Sequence, residues 1–429
     1  MRSIGSAVMA LSIAVFGSVA ATAQPAGATG PRTERVSVGN HGQQAAGRSF
    51  MFALSGNGRY VAFDSSAANL VRGDTNGADD VFLRDRWAQT TRRVSVASSG
   101  TQGDLNSSGP SISSDGRWIT FVSDATNLVP GDTNESSDLF LHDVLTGTTR
   151  RIAYIEPFGD RDRPLWNGAI SADGRSVVLS AADPLLPQDT NEQEDIYVID
   201  LPDGKISMIT PPEANGSSYW QDVSATGRYI AFASWAGNLV PGDTNDTLDI
   251  FRYDRATGVT VRVSLTAEGR QIAGRSDGPS ITADGRYVAF TSEDPDIVPG
   301  DTHPGADVFL RDLRRGTTTM VSVTPAGTPG NDTSSSADIS PDGRQLVFGS
   351  GATDLVAGDT NSWYDVFVRD LRTGRTSLVS VSTTGTQGDF GGENGAISTD
   401  GRHVAFTSGS SDLVPGDTND NLDVFVRDF

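Results

Sequence analysis

The sequence predicts an all-β fold: a seven-bladed β-propeller with four antiparallel strands per blade, its ring closed by the N-terminal strand. Three observations carry this. The tetrapeptide Gly-Asp-Thr-Asn, or a close variant, recurs with its Asp at 74, 132, 189, 243, 301, 359 and 417, giving spacings of 58, 57, 54, 58, 58 and 58 residues. The glycine of Asp-Gly-Arg, or a close variant, keeps the same period at Gly58, Gly116, Gly174, Gly227, Gly285, Gly343 and Gly401. Each copy holds four short β-prone runs, except that the last stops one run short while the start of the chain carries one to spare. Self-similarity at this period means one supersecondary unit stacked seven times.

In chain order, residues 1–23 pair Arg2 with an apolar stretch and a closing Ala21-Thr22-Ala23, the pattern of a secretory signal peptide cleaved after Ala23. Residues 24–32 are a short segment, and residues 33–429 form the propeller. The expectation is an exported protein, secreted or periplasmic, with no membrane span after cleavage. With no cysteine, its stability must come from a large core and not from disulfides. The net charge of -21 and the single lysine, Lys205, exclude a nucleic-acid partner, which needs a basic surface.

One copy shows the strand plan. Residues 111–113 are strand A, Asp115-Gly116 a tight turn, 117–123 strand B, 138–143 strand C, Thr146-Gly147 a second turn, and 149–154 strand D. Asp-Gly at the A-B turn predicts positive φ at both central residues. The B and C runs, such as Tyr60-Val61-Ala62-Phe63 and Val81-Phe82-Leu83, are apolar at consecutive positions. Such sheets are covered on both faces, as in radially stacked blades. The seventh copy ends after its C strand, and Arg35-Val36-Ser37-Val38 is the spare D strand that closes the ring, 58 residues ahead of its counterpart at Val94.

The repeat Ser-x-Asp-Gly-Arg-x-x-x-Phe-x-Ser followed by Asp-Val-Phe-x-x-Asp, as in Ser113 to Ser123 with Asp138-Leu139-Phe140-Leu141-His142-Asp143, resembles the TolB-type, WD-repeat-like bacterial propeller repeat. The resemblance spans the seven copies. It implies a propeller and, by the role of TolB, a periplasmic scaffold for envelope partners. TolB joins an N-terminal α/β domain to six blades; this chain counts seven blades and leaves no room for that domain.

Strand parity places the short A-B and C-D turns on one face, and the long B-C and D-A loops on the other. Loop-rich faces are where recognition resides. Each B-C loop carries an Asp-x-Asn-x-x-x-Asp pattern, in which oxygen ligands at positions 1, 3 and 7 suggest calcium. The candidate ligands are Asp74, Asn76, Asp80; Asp132, Asn134, Asp138; Asp189, Asn191, Asp195; Asp243, Asn245, Asp249; Asp359, Asn361, Asp365; and Asp417, Asn419, Asp423. In the fifth copy His303-Pro304 replaces the Asn. The competing reading makes the first Asp and the Asn side-chain-to-backbone turns, with the second Asp anchoring strand C. On the other face, Arg59 at the start of strand B should meet Asp85 at the end of strand C, with one such contact per blade, seven in all.

Catalytic signals are thin. His41, His142, His303 and His403 stand in different copies at different positions and read as surface residues. Gly274-Arg275-Ser276-Asp277-Gly278 matches Gly-x-Ser-x-Gly, but it aligns with a D-A loop and lacks the strand-turn-helix setting of a nucleophile elbow. Where the copies diverge most, Phe158, Arg161, Arg163 and Trp166 in one D-A loop, Tyr219 and Trp220 in the next, and Trp235 in a neighbouring B-C loop offer aromatic and Arg side chains for contact with a protein or sugar. The expected function is a monomeric, non-enzymatic binding scaffold for a protein or envelope glycan. The alternatives are a secreted hydrolase or lyase, or a calcium-dependent adhesion protein.

Overall fold

The computed structural model describes residues 30–154, 168–301 and 303–429. These hold 28 strands and no helix, arranged as seven four-stranded antiparallel sheets. Six sheets follow chain order, as in the second blade: Ser107–Ile112, Trp118–Ser123, Asp138–Asp143 and Thr148–Ala153. In the seventh, Glu393–Ile397, His403–Ser408 and Asp423–Asp428 are completed by Arg32–Arg35 from the start of the propeller.

The B and C strands are buried on both faces, because each sheet is sandwiched between two others. In the first blade Phe63 lies opposite Phe82, and the rings stack with centroids 5.8 Å apart. Five other blades repeat this Phe pair at 5.6–5.8 Å; the third carries Leu179 and Tyr197 instead. Burial of each such ring contributes about 1.5–3 kcal/mol. The alternate residues, Ala62, Val81 and Leu83, pack against Ile119, Phe121 and Phe140 of the next blade.

The closing strand pairs Arg32 with Asp428 through Arg35 with Phe425. It begins three residues earlier than the apolar run at 35–38 suggests. The D strands are outermost and polar, whereas Val36, 1% exposed, leaves the ladder after its N–H donates to the Val424 carbonyl at 2.8 Å and plugs the gap between blades. Hydrophobicity there marks the plug, not the strand. The 58-residue offset still holds, since Arg32–Arg35 corresponds to Thr90–Arg93.

The A-B turns also differ from expectation: the glycine alone takes positive φ. In the second blade, the Gly116 N–H donates to the Ser113 carbonyl at 2.8 Å, and Gly116 sits at φ 75°. This is a type I turn followed by a left-handed residue. Asp115 serves through its carboxylate, which accepts from the Ser113 hydroxyl at 2.6 Å and the Arg117 N–H at 2.9 Å. Glycine is required there twice over, because a Cβ on Gly116 would lie 2.2 Å from the Tyr60 ring of the preceding blade.

Four of the seven expected Arg-Asp contacts form: Arg59 with Asp85, Arg117 with Asp143, Arg228 with Asp254 and Arg286 with Asp312, at 2.6–2.9 Å. The reason is the next residue. In those blades it is Tyr60, Trp118, Tyr229 or Tyr287, and the guanidinium lies over the ring, 4.5–4.7 Å from its centroid. Where the ring is replaced by Ser176, Gln345 or His403, the arginine is not held. Asp200 then pairs with Arg255, and Asp428 with Arg86, each from the following blade, while Arg344 turns to Asp342. The hydrogen bonds from Arg228 and Arg286 hold the Asp254 and Asp312 carboxyls at about 2.

Candidate functional site at the mouth of the central channel

The A strands line the central channel, and in six of them the register slips after the first or second residue, as between Tyr219 and Asp222. Such bulges re-aim side chains near functional openings. At five of them one residue adopts a left-handed backbone: Gly109 (φ 61°), Trp220 (52°), Gly278 (58°), Ser336 (55°) and Asn394 (51°). Gly bears this conformation freely and Asn with little penalty, whereas other L-residues pay about 1–2 kcal/mol. Trp220 is therefore strained where Gly109, Gly278 and Asn394 are relaxed, and it remains 47% exposed.

Below that indole opens a cavity of about 750 Å³ on the loop-rich face, lined among others by Met51, Val122, Tyr219, Gln221 and Arg275. Tyr219 meets Trp220 edge-on at 4.8 Å, and the Trp235 indole N–H donates to the Tyr219 hydroxyl at 2.5 Å. The Arg275 guanidinium lies over Trp220, 5.5 Å from its centroid, and pairs with Asp277 at 3.1 Å. Across the cavity Ser180 donates to Glu194 at 2.7 Å. The structure thus gathers Tyr219, Trp220 and Trp235 into one cluster. Phe158, Arg161, Arg163 and Trp166 lie outside the described residues.

Sequence reasoning missed Met51, from the first blade across the channel, and Arg275, from the loop that enters the fifth. The signal for Arg275 was present, but within the Gly-x-Ser-x-Gly match it drew attention to the serine. Ser276 is fully buried and shares a hydrogen bond with Ser292 at 3.1 Å, so it is no nucleophile. A second aromatic pair, Trp363 and Phe390, was also missed; both are about half exposed, with ring centroids 4.4 Å apart. Two histidines expected at the surface are buried. His142 fills a strand position held by arginine in most blades and bonds Thr149 at 2.9 Å; burial lowers it to about 4. His403 stands where other blades place the aromatic ring, and it pairs with Asp428 at 2.6 Å.

Deeper in the channel, side chains stitch four of the seven neighbouring pairs of A strands together. Ser111, Asp222, Ser280 and Asp338 accept from the backbone N–H groups of Ile170, Ile281, Ile339 and Ile397 at 2.7–3.1 Å. The Ser280 hydroxyl also donates to Asp338 at 3.1 Å. Burial, with some help from the Asp222 charge, pushes Asp338 up to about 7. An unfolded Asp titrates near 3.9. Between those values the folded chain holds a proton that the unfolded chain has lost, so this group's contribution to stability falls as pH rises from about 4 to about 7. Asp338→Asn keeps an acceptor for Ile397 and can donate to Ser280. It is expected to flatten the dependence of Tm on pH between 5 and 8, with a relative gain at pH 8 of up to about 2 kcal/mol.

The B-C loops rest against the D-A loops: the Asn76 amide donates to the Gly103 carbonyl at 3.0 Å, and its oxygen accepts from the Ala78 N–H at 3.1 Å. In four blades the two carboxylates share an arginine from the end of strand D. Arg93 reaches Asp80 at 2.9 Å and Asp74 at 3.3 Å; Arg151 reaches Asp138 at 2.7 Å and Asp132 at 2.9 Å; Arg35 reaches Asp417 at 2.7 Å and Asp423 at 3.2 Å. Arg262 lies 3.3 Å from Asp243 and 3.8 Å from Asp249. These loops carry their own cation, and the Asp-Asn-Asp set there does not fit calcium as well. The arginine follows the second Asp by 13 residues in three of the four, a spacing legible in the sequence; Met208, Met320 and Leu378 stand there in the third, fifth and sixth blades. Burial raises Asp195 to about 6, and burial with the neighbouring Asp307 raises Asp301 to about 6.

No protein-family model matches the chain, and no curated protein matches it either. Solved structures share the fold. An oligogalacturonate lyase from Vibrio parahaemolyticus is 12% identical with a TM-score of 0.56, covering 93% of this chain and 97% of that one. The β-propeller domain of the Trilobed protease from Pyrococcus furiosus, described as having an open velcro topology, is 11% identical at 0.53 over 84% and 91%. A putative TolB from Agrobacterium tumefaciens is 17% identical at 0.42 over 79% and 94%. At these identities the likeness is one of fold; the TolB-type repeat resemblance adds nothing about role.

Proposed function

We propose that the protein is an exported recognition scaffold that binds a protein or envelope-glycan partner at the channel mouth of its loop-rich face. The observation that carries this reading is Trp220, a large aromatic kept in a strained backbone conformation and left half exposed over a cavity of about 750 Å³. Strain of this kind is retained where a side chain must point in a direction the relaxed chain would not give it. An exposed indole flanked by Tyr, Trp and Arg has the composition of binding hot spots.

The other reading is a hydrolase or lyase, favoured by Glu194 at the cavity wall and by the lyase fold found over nearly the whole chain. One experiment separates them. Wild type and Trp220→Ala are used to capture ligands from the envelope of the producing cell and are assayed for turnover on polysaccharide and ester panels. The expected result is a ligand held by wild type, about tenfold or more weaker with the variant, and recovered unaltered. Turnover abolished by Glu194→Gln would establish the enzyme instead.

A further inference from the structure

We propose that the cleft between the fifth and sixth blades, at the rim of the short-turn face, binds a small molecule carrying two or more clustered oxyanion groups, carboxylate or phosphate. The cleft has a volume of about 370 Å³, the size of a small-ligand site. Arg315 from the C-D turn of the fifth blade lines it, with Arg344 and Arg372 from the A-B and C-D turns of the sixth and Thr317 and Thr319 beside them. In a chain of net charge -21, three guanidiniums around one opening reverse the prevailing sign and draw anions to it.

The blade junctions differ in this respect. The position of Arg315 is Ala88, Thr146, Asp203, Thr257 or Thr373 in the other C-D turns, and that of Arg372 is Trp87, Leu145, Pro202, Ala256 or Arg314. Counted with the arginine of the A-B turn, the fifth and sixth blades bring three together and the other junctions at most two. The nearest rival, between the fourth and fifth blades, has Arg286 and Arg314, and Arg286 is already bound to Asp312.

The three arginines are open to a ligand because the carboxylates near them are engaged elsewhere. Asp312, the acid in the lining, accepts from Nε and Nη2 of Arg286 at 3.1 and 2.6 Å and from the N–H groups of Arg314 and Arg315 at 3.0 and 3.1 Å. The Arg315 guanidinium stays 3.8 Å from it, with the side chain 72% exposed. Asp370 accepts from the N–H groups of Arg372 and Thr373 at 2.9 and 2.8 Å. It does not hold Arg344, because Gln345 offers that guanidinium no ring to lie on. Arg344 approaches Asp342 at 3.5 Å and is 80% exposed. Arg372 is exposed, and among the described residues its guanidinium forms no ion pair. A guanidinium presents coplanar N–H pairs that match the two oxygens of a carboxylate or phosphate, so three of them suit a ligand with more than one such group. The cleft shares no residue with the channel mouth.

The test is calorimetric titration of the full chain with citrate, pyrophosphate and acetate at low ionic strength. Citrate or pyrophosphate is expected to saturate one site, about tenfold or more tighter than acetate, and to weaken as salt screens the arginines. The tighter of the two tells a polycarboxylate ligand from a phosphorylated one. Arg315→Gln combined with Arg372→Gln should weaken binding about tenfold or more. Trp220→Ala should leave it unchanged, as should Arg175→Gln, which removes an exposed arginine from an A-B turn of the third blade. If the double variant does not fold, Arg344→Gln decides the matter with a loss of the same sign. No saturable binding of either polyanion, binding that survives the cleft substitutions, or an equal loss with Arg175→Gln overturns the proposal.

Discussion

Deletion of residues 30–35 is expected to destabilise the protein by about 5 kcal/mol or more and to make it self-associate. The loss has three sources. The edge of Asp423–Asp428 would expose the ladder that now pairs with Arg32–Arg35, an unprotected edge of the kind that templates aggregation. Arg35 would no longer neutralise Asp417 and Asp423, the latter fully buried, and stranding a buried charge costs about 3–5 kcal/mol. Glu34 would be lost from Arg86, and the Thr33 hydroxyl from the buried Arg427, to which it is bonded at 2.8 Å. Each hydrogen bond adds about 1 kcal/mol. Thermal melts and light scattering measure the effect, and a synthetic peptide of residues 30–38 added in trans should restore Tm. An unchanged Tm in a monomeric deletion variant would show that the seam does not hold the ring.

Arg93→Met is expected to cost about 3–5 kcal/mol at pH 8. It gives the first blade the residue that the third and fifth carry at this position. Asp80 is wholly buried, with Oδ1 accepting from Ser95 at 2.5 Å and Oδ2 facing Arg93 at 2.9 Å. Gln102 still reaches both carboxylates at 2.9 and 3.1 Å, but an amide carries no charge. The penalty should shrink at pH 5, because a carboxyl that takes up a proton leaves no charge stranded. Adding Asp80→Asn should recover most of the loss at pH 8. Chemical denaturation at the two pH values checks the sign, and equal losses at both would point to lost packing of the arginine stem.

The architecture was legible because a period that repeats seven times is insensitive to any one residue. The Asp and Gly landmarks sit where a loop or turn admits little else, and the B and C strands declare burial on both faces by unbroken apolar runs. The errors fell where one residue type serves two purposes. Val36 and Val38 looked like a strand because they are apolar, although the outer strand is Arg32–Arg35, Val36 seals a gap between blades and Val38 bridges to Gln44 in the following loop. Asp115 looked like a residue of positive φ, although its contribution is a carboxylate. The Arg-Asp contacts were correct in geometry but depended on the following side chain, a condition seen only once Tyr60 and Trp118 are placed beneath the guanidinium.

The candidate site was legible in part. Tyr219, Trp220 and Trp235 stood out because they break a repeat, and they do meet. The strain at Trp220 was not readable, since it depends on a bulge whose position is set by pairing with Tyr229–Ser234.

Closing the circle by pairing Arg32 with Asp428 has a further consequence for how the molecule is presented. Both ends of the ring depart side by side from the rim of short turns, behind the channel mouth. A tether attached at either position would leave that mouth pointing away from its anchorage, open to the surroundings, much as a dish antenna is mounted by its back.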